Sequence, residues 1–211
     1  MTNLLRIKAQ RLDGSEPFRL GDRALPFNVL EFWRWSASDL VSNATRGRLA
    51  EFIVASALGI DTSGVRDEWA AYDLDMPPGI KVEVKSCAYL QSWNQSRLSP
   101  IQFTIRPSRA WNPETNQQAP LPSRSAHVYV FALLSHPDKA TLNPLSLSQW
   151  EFYVLPTTVL NERKRSQHSI TLASLRAMQS GPLSFGQLRQ AVVEAHPAGL
   201  AHRSSSIPRR A

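Results

Sequence analysis

Residues 70–89, AAYDLDMPPGIKVEVKSCAY, consist of two alternating runs separated by Pro77-Pro78-Gly79. Apolar and polar side chains alternate over residues 70–76 and again from residue 80 to about residue 89. This period of two is typical of β-strands with one buried face. Because Pro-Pro-Gly favours a turn, the stretch predicts two strands joined as a hairpin.

The polar face of this predicted hairpin carries its chemically useful side chains. In KVEVKS the two valines alternate with Glu83 and Lys85, which therefore share the face opposite the core. Asp73 and Asp75 share one face of the first run, and a hairpin brings Asp73 close to Glu83. We favour Asp73 over Asp75 because Asp75 borders the turn, where greater exposure is expected.

Two carboxylates and an ammonium group on one sheet face suit metal-dependent hydrolysis. Neighbouring carboxylates repel each other and stay ionised together only when a cation is close. Their hard oxygens suit Mg²⁺, which keeps waters that a substrate phosphate can replace. In such a site Lys85 can orient or deprotonate an attacking water and neutralise the negative charge of the developing phosphorane.

A helix predicted over residues 45–58 supplies a third carboxylate. Glu51 is the only charged residue in the run LAEFIVASALGI, and Gly59 is a typical residue to end the helix. Because the helix is apolar nearly all round, the pattern predicts that it is buried. A buried glutamate needs compensation, so Glu51 either helps to bind a metal or pairs with Arg46 or Arg48.

The order Glu51, Asp73, Glu83-Val84-Lys85 resembles the PD-(D/E)xK nuclease superfamily, to which many restriction endonucleases and Holliday-junction resolvases belong. In that superfamily a helix glutamate precedes a hairpin that carries the Asp on its first strand and (D/E)xK on its second. The resemblance covers about residues 45–106. Tyr72 stands where the superfamily motif has a proline.

The resemblance implies a restriction-endonuclease-like core and Mg²⁺-dependent cleavage of DNA. It implies that Asp73 and Glu83 are metal ligands, that Glu51 is an auxiliary ligand, and that Lys85 is the catalytic lysine. A second Glu-x-Lys sequence, at Glu162, occurs in NERKRSQ without alternation or a preceding hairpin. We interpret that copy as a surface segment.

The rest of the chain predicts an α/β fold with a central mixed sheet flanked by helices. The strands are expected at residues 101–106, 126–134 and 150–155, the helices at 157–165, 171–178 and 184–196, and a long loop at 107–125. We divide the chain into an N-terminal arm (1–25), a single nuclease-like domain (26–196) and a basic disordered tail (197–211).

Charge and composition exclude several classes of protein. The net charge is +7, but residues 51–100 carry seven acidic and four basic side chains, so an acidic segment lies within a basic protein that suits nucleic acid. The single cysteine excludes a disulfide scaffold. No apolar run reaches about 18 residues and the first residues lack a signal-peptide core, so a cytoplasmic protein without a membrane span is expected.

The tryptophans divide into two groups by their sequence context. Trp33, Trp35, Trp69 and Trp150 stand mostly in apolar runs, which predicts core positions. Trp93 and Trp111 stand among polar residues in or beside loops. These two are either partly buried loop anchors or side chains that contact bases.

Three functional hypotheses remain open on the sequence. The first is a Mg²⁺-dependent DNA endonuclease of restriction or repair type, acting as a homodimer or beside a methyltransferase or helicase. The second is a non-catalytic nucleic-acid-binding module that keeps the nuclease fold. The third is an interaction protein in which the Glu83–Lys85 pair is a chance motif.

Overall fold

The computed structural model describes residues 4–196 of the chain. The strands in this range are β1 (Pro17–Leu20), β2 (Arg23–Asn28), β3 (Leu74–Met76), β4 (Ile80–Ala88), β5 (Gln102–Thr104), β6 (Trp111–Asn112), β7 (Gln117–Gln118), β8 (Val128–Leu134), β9 (Trp150–Pro156) and β10 (Ser169–Thr171). The helices are α1 (Val29–Ala37), α2 (Asn43–Leu58), α3 (Thr157–Glu162), α4 (Leu172–Met178) and α5 (Leu188–Ala195).

A four-stranded sheet in the order β3–β4–β8–β9 forms the centre of the fold. β3 pairs with β4, and β8 with β9, in antiparallel fashion, whereas β4 and β8 are parallel. Every side chain of β8 is buried, as expected for a continuous apolar run inside a sheet that is covered on both faces. The mixed sheet with flanking helices confirms the predicted α/β fold class.

The two faces of the sheet pack against different helices. Val82 and Val84 of β4 contribute to a core shared with α2 and α5. On the other face, Tyr129 and Phe131 of β8 belong to a second core, which includes β5, β10 and α4. Because side chains alternate along β4, Glu83 and Lys85 project from the face opposite α2 and lie level with Tyr129 and Phe131.

Some predicted elements are shorter or paired differently. The expected strand at residues 70–76 is regular only in β3, although the Asp73 N–H still donates to the Val82 carbonyl at 3.1 Å. The expected strand at residues 101–106 is reduced to β5, which pairs with β10 and not with the central sheet. Its apolar face is nevertheless buried, as the alternation predicted. The helix expected at 157–165 ends with α3, and the expected loop at 107–125 contains the β6–β7 pair.

The prediction that α2 is buried all round is wrong. Its buried stripe runs through Arg46, Ala50, Val54 and Leu58, whereas Phe52 is 56% exposed. The helix covers only one face of the sheet, so the opposite side of its apolar surface is left open.

The N-terminal segment forms a hairpin, β1–β2, followed by α1, which has no buried residue. The core positions predicted for Trp33, Trp35 and Trp69 are wrong: Trp35 and Trp69 are 84% and 60% exposed, whereas Trp150 is buried as predicted. An apolar sequence stretch is buried only if other elements pack on all of it, and α1 is only partly covered: Gly14 lies against Leu30 and Trp33, whereas Trp35 is exposed. The predicted tail at 197–211 lies outside the described residues.

No helix within residues 4–196 combines the length and the apolar character needed to cross a membrane.

Candidate active site

Asp73 is held in place by hydrogen bonds that extend the β3–β4 hairpin by one residue. Its backbone N–H donates to the Val82 carbonyl at 3.1 Å, and its carboxylate Oδ2 accepts the Val84 N–H at 2.7 Å. The side chain thus occupies the position of a backbone carbonyl on the free edge of β4. Because the hydrogen bond is to the residue between Glu83 and Lys85, Asp73 is fixed beside the motif.

Glu83 and Lys85 form a pair on β4. The Lys85 Nζ donates to the Glu83 Oε1 at 2.5 Å. The side chain of Lys85 is 31% exposed and that of Glu83 is 19% exposed. The charge-assisted contact holds the amine and the carboxylate together. Strand alternation therefore places them as the sequence predicted.

The electrostatics show that Asp73 and Glu83 are neighbours. Burial raises the pKa of Asp73, and the charge of Glu83 raises it further. The Val84 N–H and the cations of Lys85 and Arg66 oppose this rise in the Asp73 pKa. Two repelling carboxylates in a partly desolvated position are stabilised by a cation between them.

Glu51 reaches the same region from α2, but an arginine holds it. The Arg66 guanidinium donates to both Glu51 carboxylate oxygens, at 3.1 Å from Nη2 to Oε1 and through a shorter contact from Nε to Oε2. Burial raises the pKa of Glu51, the Arg66 hydrogen bond opposes this, and the charge of Asp73 adds to the rise. Glu51 and Asp73 are therefore close enough to interact.

Arg66 is the residue of this cluster that sequence reasoning missed. Its Nη2 lies 3.9 Å from Oδ1 of Asp73, and its Nη1 donates to Glu68 at 2.5 Å. The sequence offered Arg46 or Arg48 as the partner of Glu51, but the partner is an arginine in the loop between α2 and β3. No periodic pattern marks a single arginine in a loop, so no local signal pointed to it.

Two carboxylates of the site provide oxygen ligands that fit a divalent cation. Among residues 4–196, no three His, Cys, Asp or Glu side chains lie in positions that could together hold a metal ion. Asp73 and Glu83 supply two adjacent hard-oxygen groups, which suit Mg²⁺ because that ion keeps several waters. Both carboxylate oxygens of Glu51 are occupied by Arg66, so Glu51 is not part of this pair.

Two cavities open on either side of Asp73. One of about 260 Å³ exposes Asp73 and Glu83 and is also lined by Trp69, Arg109 and Trp111. It shares both tryptophans with a wider groove of about 580 Å³. The other, of about 290 Å³, contains Glu51, Arg66 and Asp73. The carboxylates thus border an open groove that presents aromatic side chains and a cation.

Asp75 and Cys87, which also lie on or beside the hairpin strands, have other hydrogen-bond partners than the site residues. Asp75 is exposed and accepts a hydrogen bond from the Tyr72 hydroxyl at 3.3 Å. The Cys87 Sγ donates to the Gln102 carbonyl at 3.2 Å, and burial raises the pKa of its thiol. A thiol held protonated is a poor nucleophile.

Comparison with known proteins adds an independent result. No curated protein matches the chain. The model of the bacteriophage T4 endonuclease IV family matches residues 28–174, a span that includes α1, α2, the whole central sheet and the four candidate residues Glu51, Asp73, Glu83 and Lys85. Because the match extends over more than two thirds of the sequence, this chain belongs to the bacteriophage T4 endonuclease IV family, a family of nucleases.

Proposed function

We propose that this protein is a Mg²⁺-dependent endonuclease that hydrolyses DNA phosphodiester bonds, with a site of the PD-(D/E)xK type. The family match supports an endonuclease. One observation carries the finer proposal: the Asp73–Val84 hydrogen bond fixes a partly buried carboxylate beside the Glu83–Lys85 pair. Restriction or repair is the expected setting of this activity.

Asp73 and Glu83 are the residues that would hold Mg²⁺, with Glu51 as the auxiliary ligand. The bound ion supplies a Lewis acid for the phosphoryl oxygens and a water with a lowered pKa. The two carboxylates repel each other without a cation, so they are suited to bind one. Arg66 holds Glu51 and stands close to Asp73, so it neutralises the carboxylates when no metal is bound.

Lys85 is the residue proposed to act on the water and on the developing charge. Its amine is held by Glu83, which lines one cavity together with Asp73. Held at Glu83, the amine can orient a water for attack on phosphorus and neutralise the charge of the transition state. Removing a positioned group of this kind costs about 10²–10⁴-fold in rate.

The surroundings of the site support a nucleic-acid substrate. Arg109 lines the cavity at Asp73 and Glu83 and provides a guanidinium for a phosphate. The exposed rings of Trp69 and Trp111 continue into the neighbouring groove and can stack on bases. The net charge of +7 attracts a polyanion to the surface around this acidic segment.

A cleavage assay with a matched pair of lysine variants tests the proposal. Wild type, Lys85→Ala and Lys164→Ala are incubated with plasmid, branched and single-stranded DNA in Mg²⁺ or in EDTA. Lys164 belongs to the second Glu-x-Lys sequence and is exposed, so its replacement changes the charge equally at an unrelated position. We expect Mg²⁺-dependent cutting by wild type and Lys164→Ala, and a loss of about 10³-fold in Lys85→Ala, which should still unfold in a cooperative thermal transition.

The other outcomes identify the alternatives. Retarded migration of DNA without cutting, weakening steeply with salt, would identify a binding module. If the protein neither cuts DNA nor retards its migration, the Glu83–Lys85 pair is a chance motif. Equal cutting by Lys85→Ala and wild type would contradict the assigned role of the lysine. A homodimer and a methyltransferase or helicase partner stay predictions, to be checked by sedimentation and by co-purification.

A further inference from the structure

Tyr129 is a buried phenol beside the candidate site, and the proposed mechanism does not use it. It lies on β8 directly opposite Glu83 of β4 in the parallel register. Only 4% of the residue is exposed. Because paired residues of neighbouring strands project from the same face of a sheet, the Tyr129 ring and the Glu83 carboxylate stand side by side.

The Tyr129 hydroxyl has no hydrogen-bond partner within residues 4–196. Tyr153 of β9, which is also buried, shows the usual situation. Its hydroxyl donates to Glu151 at 2.8 Å and accepts the Arg176 Nε–H at 3.1 Å. A buried tyrosine normally finds such a partner, because an unpaired hydroxyl is costly to bury. The free hydroxyl of Tyr129 is therefore suited to a group that enters the site.

The charges of the site act on this hydroxyl. Burial raises the pKa of Tyr129, and the charges of Glu83 and Asp73 raise it further, against the opposing effect of Arg124. The phenol therefore keeps its proton and is a neutral hydrogen-bond donor. It lies within electrostatic range of both carboxylates that are proposed to hold the metal ion.

The two carboxylates already have donors of their own. The Lys85 Nζ donates to Oε1 of Glu83 at 2.5 Å, and Oδ2 of Asp73 accepts the Val84 N–H at 2.7 Å. The Tyr129 hydroxyl donates to neither of them, although it comes from the neighbouring strand. The donor thus stays available for a third group beside the carboxylates.

Packing fixes the position of the phenol. The ring of Tyr129 stacks on that of Phe131 with 6.1 Å between their centroids, and both rings belong to the second core of the sheet. A donor that is fixed in advance stabilises negative charge without reorganising, and it does so more strongly where water is largely excluded.

We propose that the Tyr129 hydroxyl donates a hydrogen bond to a non-bridging oxygen of the phosphodiester that is cleaved at Asp73 and Glu83. This inference rests on the function proposed above. The phenol keeps its proton throughout, and no bond to its oxygen forms or breaks. Tyr129 thus acts on the phosphoryl oxygen, whereas Lys85 acts on the attacking water.

The structural alternative is that Tyr129 contributes only its ring to the core. Replacement by phenylalanine keeps the ring and removes the hydroxyl, so it distinguishes the two roles. A ring-only role predicts an unchanged rate of cleavage. A donor role predicts a slower rate without a loss of stability, because the hydroxyl has no partner to lose within the described part of the chain.

Plasmid cleavage in Mg²⁺ and thermal unfolding of wild type, Tyr129→Phe and Tyr153→Phe test the proposal. In Tyr129→Phe we expect kcat to fall by about 10²-fold, with little change in KM and a melting temperature no lower than that of wild type. Tyr153→Phe is the matched control. It loses its hydrogen bonds to Glu151 and Arg176, so it should melt a few degrees lower and cut at the wild-type rate.

Two results of these assays would overturn the role of Tyr129. One is an equal kcat of wild type and Tyr129→Phe. The other is a fall in melting temperature as large as that of Tyr153→Phe, which would show that the hydroxyl supports the fold.

An NMR measurement on the wild type tests the contact without catalysis. The chain has four tyrosines, so tyrosine labelled with ¹³C at Cζ gives four resonances, which the Tyr→Phe variants assign. Their shifts report hydrogen bonding of the hydroxyl. In Ca²⁺, which takes oxygen ligands as Mg²⁺ does, we expect a short DNA oligonucleotide to shift the Tyr129 resonance and not that of Tyr153. A shift with Ca²⁺ alone, or none with the oligonucleotide, would overturn the phosphoryl contact.

The two experiments together separate this inference from the proposed function. If wild type and Tyr129→Phe cut DNA equally, the endonuclease stands and the role of the tyrosine fails. If no cutting is found but the oligonucleotide shifts the Tyr129 resonance, the proposed hydrolysis fails and the phosphoryl contact stands as a binding site. If neither cutting nor a shift is found, both fail.

Discussion

Single residues decide the chemistry of this site, and Asp73 shows how. Its carboxylate accepts a backbone N–H of β4 and faces the charge of Glu83. The hydrogen bond positions the group, while burial and the neighbouring acid raise its pKa. The ionised Asp73 carboxylate is therefore destabilised when no cation is near, and a bound cation would stabilise it.

At this scale we predict a pH-dependent effect of Asp73→Asn. The raised pKa means that the folded protein binds the Asp73 proton more tightly than the unfolded chain does, so without metal the stability falls as pH rises from about 4 through the folded-state pKa. Asparagine keeps an oxygen for the Val84 N–H but has no charge. We expect the variant to gain about 1 kcal/mol in free energy of unfolding at pH 7 in EDTA, measured by urea denaturation.

The same variant is expected to lose the response to Mg²⁺. Mg²⁺ should stabilise the wild type increasingly as pH rises over that window, because only the ionised carboxylate binds the ion. Lower stability of Asp73→Asn than of wild type at pH 7 in EDTA would show that Arg66 and Lys85 already compensate the charge.

A second residue-scale prediction concerns Arg66→Gln. Arg66 pairs with Glu51 and lies near Asp73, so it competes with a cation for the carboxylates. Without metal we expect the variant to lose about 1–3 kcal/mol in free energy of unfolding because Glu51 stays buried without its partner. The Mg²⁺ concentration for half-maximal cleavage should fall. A rise in that concentration would mean that Arg66 helps to assemble the site and does not compete.

At the scale of elements, α2 and the β3–β4 hairpin bring the carboxylates together. The sheet-facing stripe of α2 sets the rotation of the helix, and this rotation leaves Glu51 at the side where Arg66 and Asp73 lie. The hairpin is shorter than its sequence pattern, because β3 pairs with β4 over only three residues. Beyond these residues the Asp73 side chain accepts the Val84 N–H in place of a backbone carbonyl. The regular pairing of β3 therefore ends at the candidate site.

The end of α2 provides the prediction at this scale. Gly59 has φ of +70°, and a Cβ there would lie 2.9 Å from Nη1 of Arg189. We expect Gly59→Ala to lower the free energy of unfolding by about 1–2 kcal/mol. Gly47→Ala, inside the same helix and facing open space, should instead raise it by about 0.5–1 kcal/mol. Urea denaturation of both variants measures the difference. Equal changes in the free energy of unfolding would contradict the role of Gly59 as the C-cap of α2.

For the whole molecule, the distribution of charge matters more than its sum. Residues 161–211 carry eight basic and two acidic side chains, whereas residues 51–100 carry an acidic excess. A basic surface around an acidic site is suited to attract a polyanion, and the proposed function assigns the carboxylates of the acidic site to a metal ion.

This arrangement predicts a steep salt dependence of DNA binding. In EDTA we expect log K to fall with log salt with a slope of about −3 or steeper, equivalent to at least three or four phosphate contacts. Fluorescence anisotropy of labelled duplex between about 50 and 200 mM salt measures it. A slope near zero would contradict a phosphate-binding surface.

The sequence alone determined the elements whose signal is local. Alternation located β4, the continuous apolar run located β8, and the order of Glu51, Asp73, Glu83 and Lys85 indicated the candidate site. Strand and helix periods depend on neighbouring residues, so they can be read from the chain without its partners.

Only the tertiary structure decided which residues lie opposite these elements. It placed Arg66 on Glu51, paired β5 with β10 outside the central sheet, left Trp35 and Trp69 exposed, and buried Arg46 against neutral oxygens. Each of these depends on contacts between segments far apart in the sequence. Such contacts are set by packing and by the compensation of buried charge, and neither leaves a periodic trace in the chain.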